Sequence, residues 1–164
     1  FPLLDAGFEV CAVEFDEGFS RPSSKRALEE AKKNPNFSAL IWPKDFIRDR
    51  RRFDAALLFY VLQTMPLEKE RQLVLHHLYS KLTQDSYLIY ASRYGQITEE
   101  DLHHKVADGY YKWPTRAYHS FYREFTTEET HSMMQQHRFI RKRSLGERGT
   151  EQIFLYVKGS ATWP

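Results

Sequence analysis

The sequence predicts an α/β fold, a doubly wound and mostly parallel sheet finished by an antiparallel strand pair. Three observations predict it. Short apolar runs alternate with amphipathic stretches long enough for helices. Two of the runs, "FEVCAVEF" and "FDAALLFYVL", are apolar at most positions, as parallel strands covered on both faces are. The last two runs lie too close together for a crossover helix, so they pair antiparallel.

Taken in order, "PLLDAG" reads as the tail of a helix, with Gly7 as its C-cap. "FEVCAVEF" is the first strand. "SSKRALEEAKKNPN" forms a helix capped by Ser23 or Ser24. It carries Ala27, Leu28 and Ala31 on one side and stops at Asn34-Pro35. "FSALIW" is the second strand, ended by Pro43, and "FDAALLFYVL" the third. Pro66 opens a helix from about Leu67 to Leu82, striped by Val74, Leu78 and Leu82 with Leu75 beside them. "DSYLIYAS" is the fourth strand. A polar and aromatic stretch runs from Arg93 to Phe125, an insertion or lid within one domain spanning 1–164. Thr126 and Glu129 then have the spacing of a capping box, with Phe125 as a hydrophobic staple. "FIRKRSLGERGTEQIFLYVKG" supplies the closing pair, joined through Gly146 and Gly149.

Composition narrows the function classes. A length of 164 residues and a hydrophobic content of 41% suit one soluble domain with a core. The net charge of +2 does not by itself point to nucleic acid. The basic runs Arg48 to Arg52 and Arg138 to Arg143 read as solvated faces or turn edges. The single cysteine, Cys11, lies in an apolar strand and reads as a small core residue, which suits a reducing, cytoplasmic setting. No apolar run approaches the ~20 residues that cross a bilayer, so no membrane partner is expected. His76-His77 and His103-His104 are adjacent pairs whose side chains diverge, and His131 and His137 are six apart; no metal site is expected.

In open parallel sheets ligands bind beyond the carboxyl ends of the strands. Glu14 ends the first strand, where a carboxylate accepts hydrogen bonds from a ribose diol or serves as a solvated or capping acid. Asp45, after the second strand, is either an acceptor for an adenine amino group or a turn aspartate; Phe46 or Trp42 would pack on the base. Phe59 and Tyr60 close the third strand on the same edge. Phe59 suits core packing equally well, whereas the Tyr60 hydroxyl needs a partner if buried. "DGYYKWPTRAYHSFYREF" sets Tyr110, Tyr111, Trp113, Tyr118, Phe121 and Tyr122 among Lys112, Arg116, His119 and Arg123. Such a segment suits a lid better than a surface that stacks on bases. No Gly-rich phosphate loop, nucleophile elbow or Cys-His pair is present.

Together these segments resemble the class I S-adenosylmethionine-dependent methyltransferases. "LLDAGFEVCAVEFDEG" looks like their second-strand motif, "FDAALLFYVLQTMP" their fourth-strand segment, "FTTEETHSMMQQHRF" their late F-T-x-E-E-L helix and "EQIFLYVKG" their final antiparallel strand. Val61-Leu62-Gln63-Thr64-Met65 stands where the family phrase reads V-L-H-H-L. The resemblance implies a Rossmann-like sheet in the order 3-2-1-4-5-7-6. It also implies S-adenosylmethionine as cofactor, held by Glu14, Phe15, Asp45, Phe46, Phe59 and Tyr60. The acceptor would meet Tyr94, Tyr110, Tyr111, Trp113, Tyr118 and Arg123. Tyr60 and His119 are the candidate catalytic residues, His119 as a general base. The Gly-rich loop after the family's first strand has no counterpart here. The expected sheet therefore lacks that strand and must close up, leave a gap or take a strand from elsewhere. Other readings are a non-catalytic interaction module on the same fold and a nucleic-acid-binding domain.

Overall fold

The structure is a computed structural model that describes residues 1–112, 120–148 and 150–160. The chain forms two compact units, Phe1–Arg50 and Arg51–Pro164.

The first unit opens with helix α1 (Pro2–Asp5), which ends at Gly7, a residue with φ +85° that closes the helix as the sequence predicts. Strand β1 (Val10–Glu14) follows, then the short helix α2 (Asp16–Ser20), helix α3 (Pro22–Ala31), strand β2 (Phe37–Ile41) and helix α4 (Lys44–Arg48). β1 and β2 pair in parallel, Val10 opposite Phe37 and Glu14 opposite Ile41. The expectation that β1 is covered on both faces does not hold. Val10, Cys11 and Ala12 are half-buried, and Val13 and Glu14 are exposed. β1 has β2 as its one strand partner among the described residues, and a two-stranded sheet cannot enclose its own members.

In the second unit, strand β3 (Phe53–Phe59) leads through a 3₁₀ turn at Leu62–Thr64 to helix α5 (Glu68–Lys81) and strand β4 (Leu82–Arg93). Strands β5 (Lys105–Val106), β6 (Gly109–Lys112) and β7 (Ser120–Tyr122) form a small antiparallel sheet within the aromatic stretch. Helix α6 (Thr127–Gln136) and the long strands β8 (Phe139–Arg148) and β9 (Glu151–Lys158) complete the unit. The main sheet has the order β3-β4-β9-β8, with β3 and β4 parallel and the other pairs antiparallel. That is the 4-5-7-6 half of the order implied by the resemblance. β3 pairs only with β4 among the described residues.

Register places Leu58, Tyr90 and Phe154 on one face, with Leu88, Tyr156 and Phe139. All six are buried, under α5 through Tyr79 against Phe139 (ring centroids 5.9 Å) and under α6 through His131 against Phe154 (4.7 Å). The opposite face carries Leu57, Phe59, Tyr87 and Ile140, which are 49%, 43%, 51% and 49% exposed. The mostly apolar run of β3 thus serves one covered face and one open one.

The capping box forms as the spacing predicts. The Thr126 hydroxyl accepts the Glu129 N–H at 3.1 Å, and the Glu129 carboxylate accepts the Thr126 N–H at 2.8 Å. α5 ends at Lys81 rather than Leu82, because Leu82 takes an extended backbone and opens β4. Gly146 does not sit in the final turn. It lies within β8 at φ +146°, where the register with β9 slips by a residue. Gly149, the other glycine of the expected link, lies outside the described residues.

Candidate functional site

In the first unit the candidate residues gather past the carboxyl ends of the two parallel strands. Glu14 is exposed, and its Oε1 accepts the Phe15 N–H at 2.8 Å. Its backbone carbonyl accepts the Trp42 N–H at 2.9 Å, which joins the two strand ends. Beneath its side chain lies the buried Gly18. A methyl group on Gly18 would meet Glu14 Cγ at 2.4 Å and Cδ at 2.5 Å. Phe15 is exposed and forms the N-cap of α2. Asp45 stands in the first turn of α4, where one carboxylate oxygen accepts the Ile41 N–H at 3.4 Å and folds the helix start against β2. Phe46 is buried, tilted against Trp42 at 5.7 Å.

In the second unit the carboxyl end of β3 is built around two side chains. Tyr60 has a φ of +60°, an uncommon backbone state for a bulky residue. Its N–H donates to the Ala91 carbonyl at 2.9 Å, so the turned backbone stays tied to β4. Its hydroxyl donates to Glu151 Oε1 at 2.8 Å, and the Arg93 guanidinium lies 4.4 Å from its ring centre. Arg93 donates to the same Glu151 oxygen through Nε at 3.1 Å and Nη2 at 3.0 Å. The hydrogen bond to Glu151, foremost, holds the Tyr60 phenol above its ordinary pKa, so it stays protonated and keeps donating to that carboxylate. The partner expected for its hydroxyl is therefore a carboxylate on β9.

Gln63, buried in the turn after β3, is the second centre, and sequence reasoning missed it. Its Nε2 donates to the Tyr122 hydroxyl at 2.9 Å, while its Oε1 accepts the Arg93 N–H at 2.9 Å. Tyr122 donates onward to the Arg93 carbonyl at 3.1 Å. Burial pushes the Tyr122 phenol up to about 12. One amide thereby fastens the end of β4 to β7. An amide side chain directly after the apolar Val61-Leu62 pair was the available signal.

A third cluster anchors the small sheet. Arg71, in α5, is 1% exposed and donates to the Met65 carbonyl at 2.7 Å and to Asp108 in the turn between β5 and β6. Arg123 also pairs with Asp108 and reaches Glu129 at 2.9 Å. Both guanidinium groups lie against Phe125, at 5.7 Å and 4.6 Å from its ring centre. Arg123, a candidate acceptor contact, thus stands in a salt-bridge network.

Of the other expected acceptor residues, Tyr94 follows β4, and its N–H donates to Thr150 beside Glu151. Tyr110 pairs with Tyr122 across β6 and β7, and Tyr111 meets Phe121 edge-on at 6.2 Å. Phe59 is exposed at the end of β3, tilted against Tyr60 at 6.3 Å. Trp113, Tyr118 and His119 lie outside the described residues. Among the described residues no group of three or more His, Cys, Asp or Glu side chains is placed to hold a metal, and no helix is long and apolar enough to cross a membrane.

Comparison with solved structures gives this geometry its context. A methyltransferase described as S-adenosylmethionine-dependent, from Methanosarcina mazei, superposes with a TM-score of 0.72 at 16% identity, over 96% of this chain and 85% of that one. The chain has the fold of the S-adenosylmethionine-dependent methyltransferases. A second similar methyltransferase is the 1,6-didemethyltoxoflavin-N1-methyltransferase of Burkholderia thailandensis, with bound S-adenosylhomocysteine. It gives a TM-score of 0.69 at 17% identity, over 97% of this chain and 65% of its own. The magnesium protoporphyrin IX methyltransferase of Synechocystis PCC 6803, also with S-adenosylhomocysteine, gives 0.63 at 16% identity, over 96% and 68%. This methyltransferase-fold chain therefore spans under two thirds of the Burkholderia enzyme and more of the other two. No family model matches the chain, and no curated protein is similar to it in sequence.

Proposed function

We propose that the protein transfers a methyl group from S-adenosylmethionine to an acceptor, on a doubly wound, Rossmann-like sheet. The observation that carries this reading is Glu14, an exposed carboxylate at the carboxyl end of a parallel strand in a methyltransferase fold. An ionised carboxylate is acceptor-only, which matches a vicinal diol that donates twice. This acceptor therefore suits the ribose of the cofactor, and Phe15 would lie beside it with Asp45 and Phe46 toward the adenine. When bound, S-adenosylmethionine supplies an electrophilic methyl group on a sulfonium.

The chain's own residues have the tasks of binding and alignment, which account for most of the rate in such transfers. Phe59 and Tyr60 would border the cofactor at the end of β3, with Tyr60 held in one orientation by Glu151 and Arg93. Tyr94, Tyr110 and Tyr111 would bound the acceptor, together with Trp113, Tyr118 and Arg123. An acceptor that must lose a proton would give it to His119, the candidate general base.

Calorimetric titration of S-adenosylhomocysteine into the full chain tests the reading. Wild type should bind, and Glu14→Ala should bind at least ~10-fold more weakly, the loss of a hydrogen bond to a charged group. Absence of heat in the wild type, or equal affinity in Glu14→Ala, would remove the cofactor assignment.

A further inference from the structure

Gly18 stands in α2 without any backbone need for glycine. Its φ is outside the left-handed region, where alanine is the better helix former. What it supplies is room. The three atoms nearest a Cβ at this position all belong to Glu14: Cγ at 2.4 Å, Cδ at 2.5 Å and Oε1 at 2.8 Å. The nearest obstacle to a side chain here is thus Glu14 itself. Cγ is the second carbon of the side chain, not its mobile end. A Cβ on residue 18 would force Glu14 into another χ1 rotamer and carry the whole carboxylate with it.

In its present rotamer Oε1 takes the Phe15 N–H, and Oε2 has no hydrogen bond among the described residues. One oxygen is thus steered by the backbone while the other stays open to a donor. We propose that Gly18 is a positioning residue of the ribose site: its missing side chain fixes the Glu14 rotamer and so sets selectivity for a sugar with an intact 2′,3′-diol. This inference rests on the methyltransferase reading above and extends it to the residue that shapes the contact.

The test compares adenosine with 2′-deoxyadenosine, and S-adenosylhomocysteine as the full ligand, titrated into the full chain. In wild type, loss of the 2′-hydroxyl should weaken binding roughly 10-fold or more. In Gly18→Ala that discrimination should fall to about threefold or less, while the circular dichroism spectrum and melting temperature stay at wild-type values. A purely structural role would weaken both nucleosides equally and leave the ratio intact. In the Gly18→Ala background, Glu14→Gln should cost little more, since the carboxylate is already displaced. If Gly18→Ala does not fold, Glu14→Asp withdraws the carboxylate from its cradle without adding atoms, and should abolish the discrimination too.

A Gly18→Ala or Glu14→Asp protein that keeps the full ratio overturns the role of Gly18 and leaves Glu14 in place as a ligand. Wild type that binds the two nucleosides equally, or does not bind S-adenosylhomocysteine, overturns the ribose site and this inference together.

Discussion

Replacing Asp108 by asparagine removes a charge and almost no volume, so its effect isolates electrostatics. Arg71 is 1% exposed and keeps its bond to the Met65 carbonyl in the variant, but its countercharge is gone. Breaking a wholly buried ion pair costs ~3–5 kcal/mol. Asp108 is 33% exposed, and Arg123 retains Glu129 at 2.9 Å, so solvent and a second carboxylate soften the loss. The expected destabilisation is therefore about 2–3 kcal/mol. At ~4 °C per kcal/mol, the value where the ranges for smaller and larger domains meet, the melting temperature should fall by roughly 10 °C. Urea and thermal unfolding, followed by circular dichroism, read both quantities. Arg71→Met in the Asp108→Asn background should recover part of the loss, because removing both members leaves no stranded charge. A single variant within about 0.5 kcal/mol of wild type would refute the reasoning. So would strictly additive losses in the cycle.

Gly109→Ala places a methyl group 2.4 Å from Phe121 Cζ and 2.7 Å from the Tyr122 carbonyl oxygen. It should destabilise by ~1–3 kcal/mol and raise hydrogen exchange across β5 to β7, with unchanged exchange as the contrary result. Acidification gives a further expectation. His131 and His137 both sit below the ordinary 6.5; burial is the main cause, with Arg141 acting further on His131 and His76 on His137, against a weaker opposite pull from Glu128 on His131. The unfolded chain then binds more protons below pH 6.5 than the folded one, so their contribution to stability is full above pH 6.5 and declines as pH falls below it. The urea midpoint should drop through that range and drop less steeply in His137→Gln; a midpoint that rises on acidification contradicts the assignment.

Most strands and helices were legible because their signals are local. The apolar runs, the Thr126–Glu129 spacing and the short link between β8 and β9 each lie within a few residues of chain. Coverage was less legible. A run such as "FDAALLF" has the same composition whether one face or two are packed, and only the partner elements decide. The Tyr60 hydroxyl was expected to need a partner, but nothing near it in sequence names Glu151, 91 residues away. Arg71 looks like any exposed arginine on a helix, since the carboxylate that pairs with it comes from a turn 37 residues downstream. Gln63 belongs to the same class. Polar residues paired across long separations leave no periodic trace.

Gln63 has a chemical consequence of its own. The joint between β4 and β7 needs a donor toward Tyr122 and an acceptor toward Arg93 from one side chain. A histidine, which the family phrase carries here, offers both only while neutral, and protonation would turn its acceptor into a second donor. A primary amide carries both faces at every pH at which the protein folds. Where the sequence writes glutamine, this seam is made indifferent to acid, in a molecule whose half-buried His131 and His137 hold their protons less readily than in the unfolded chain.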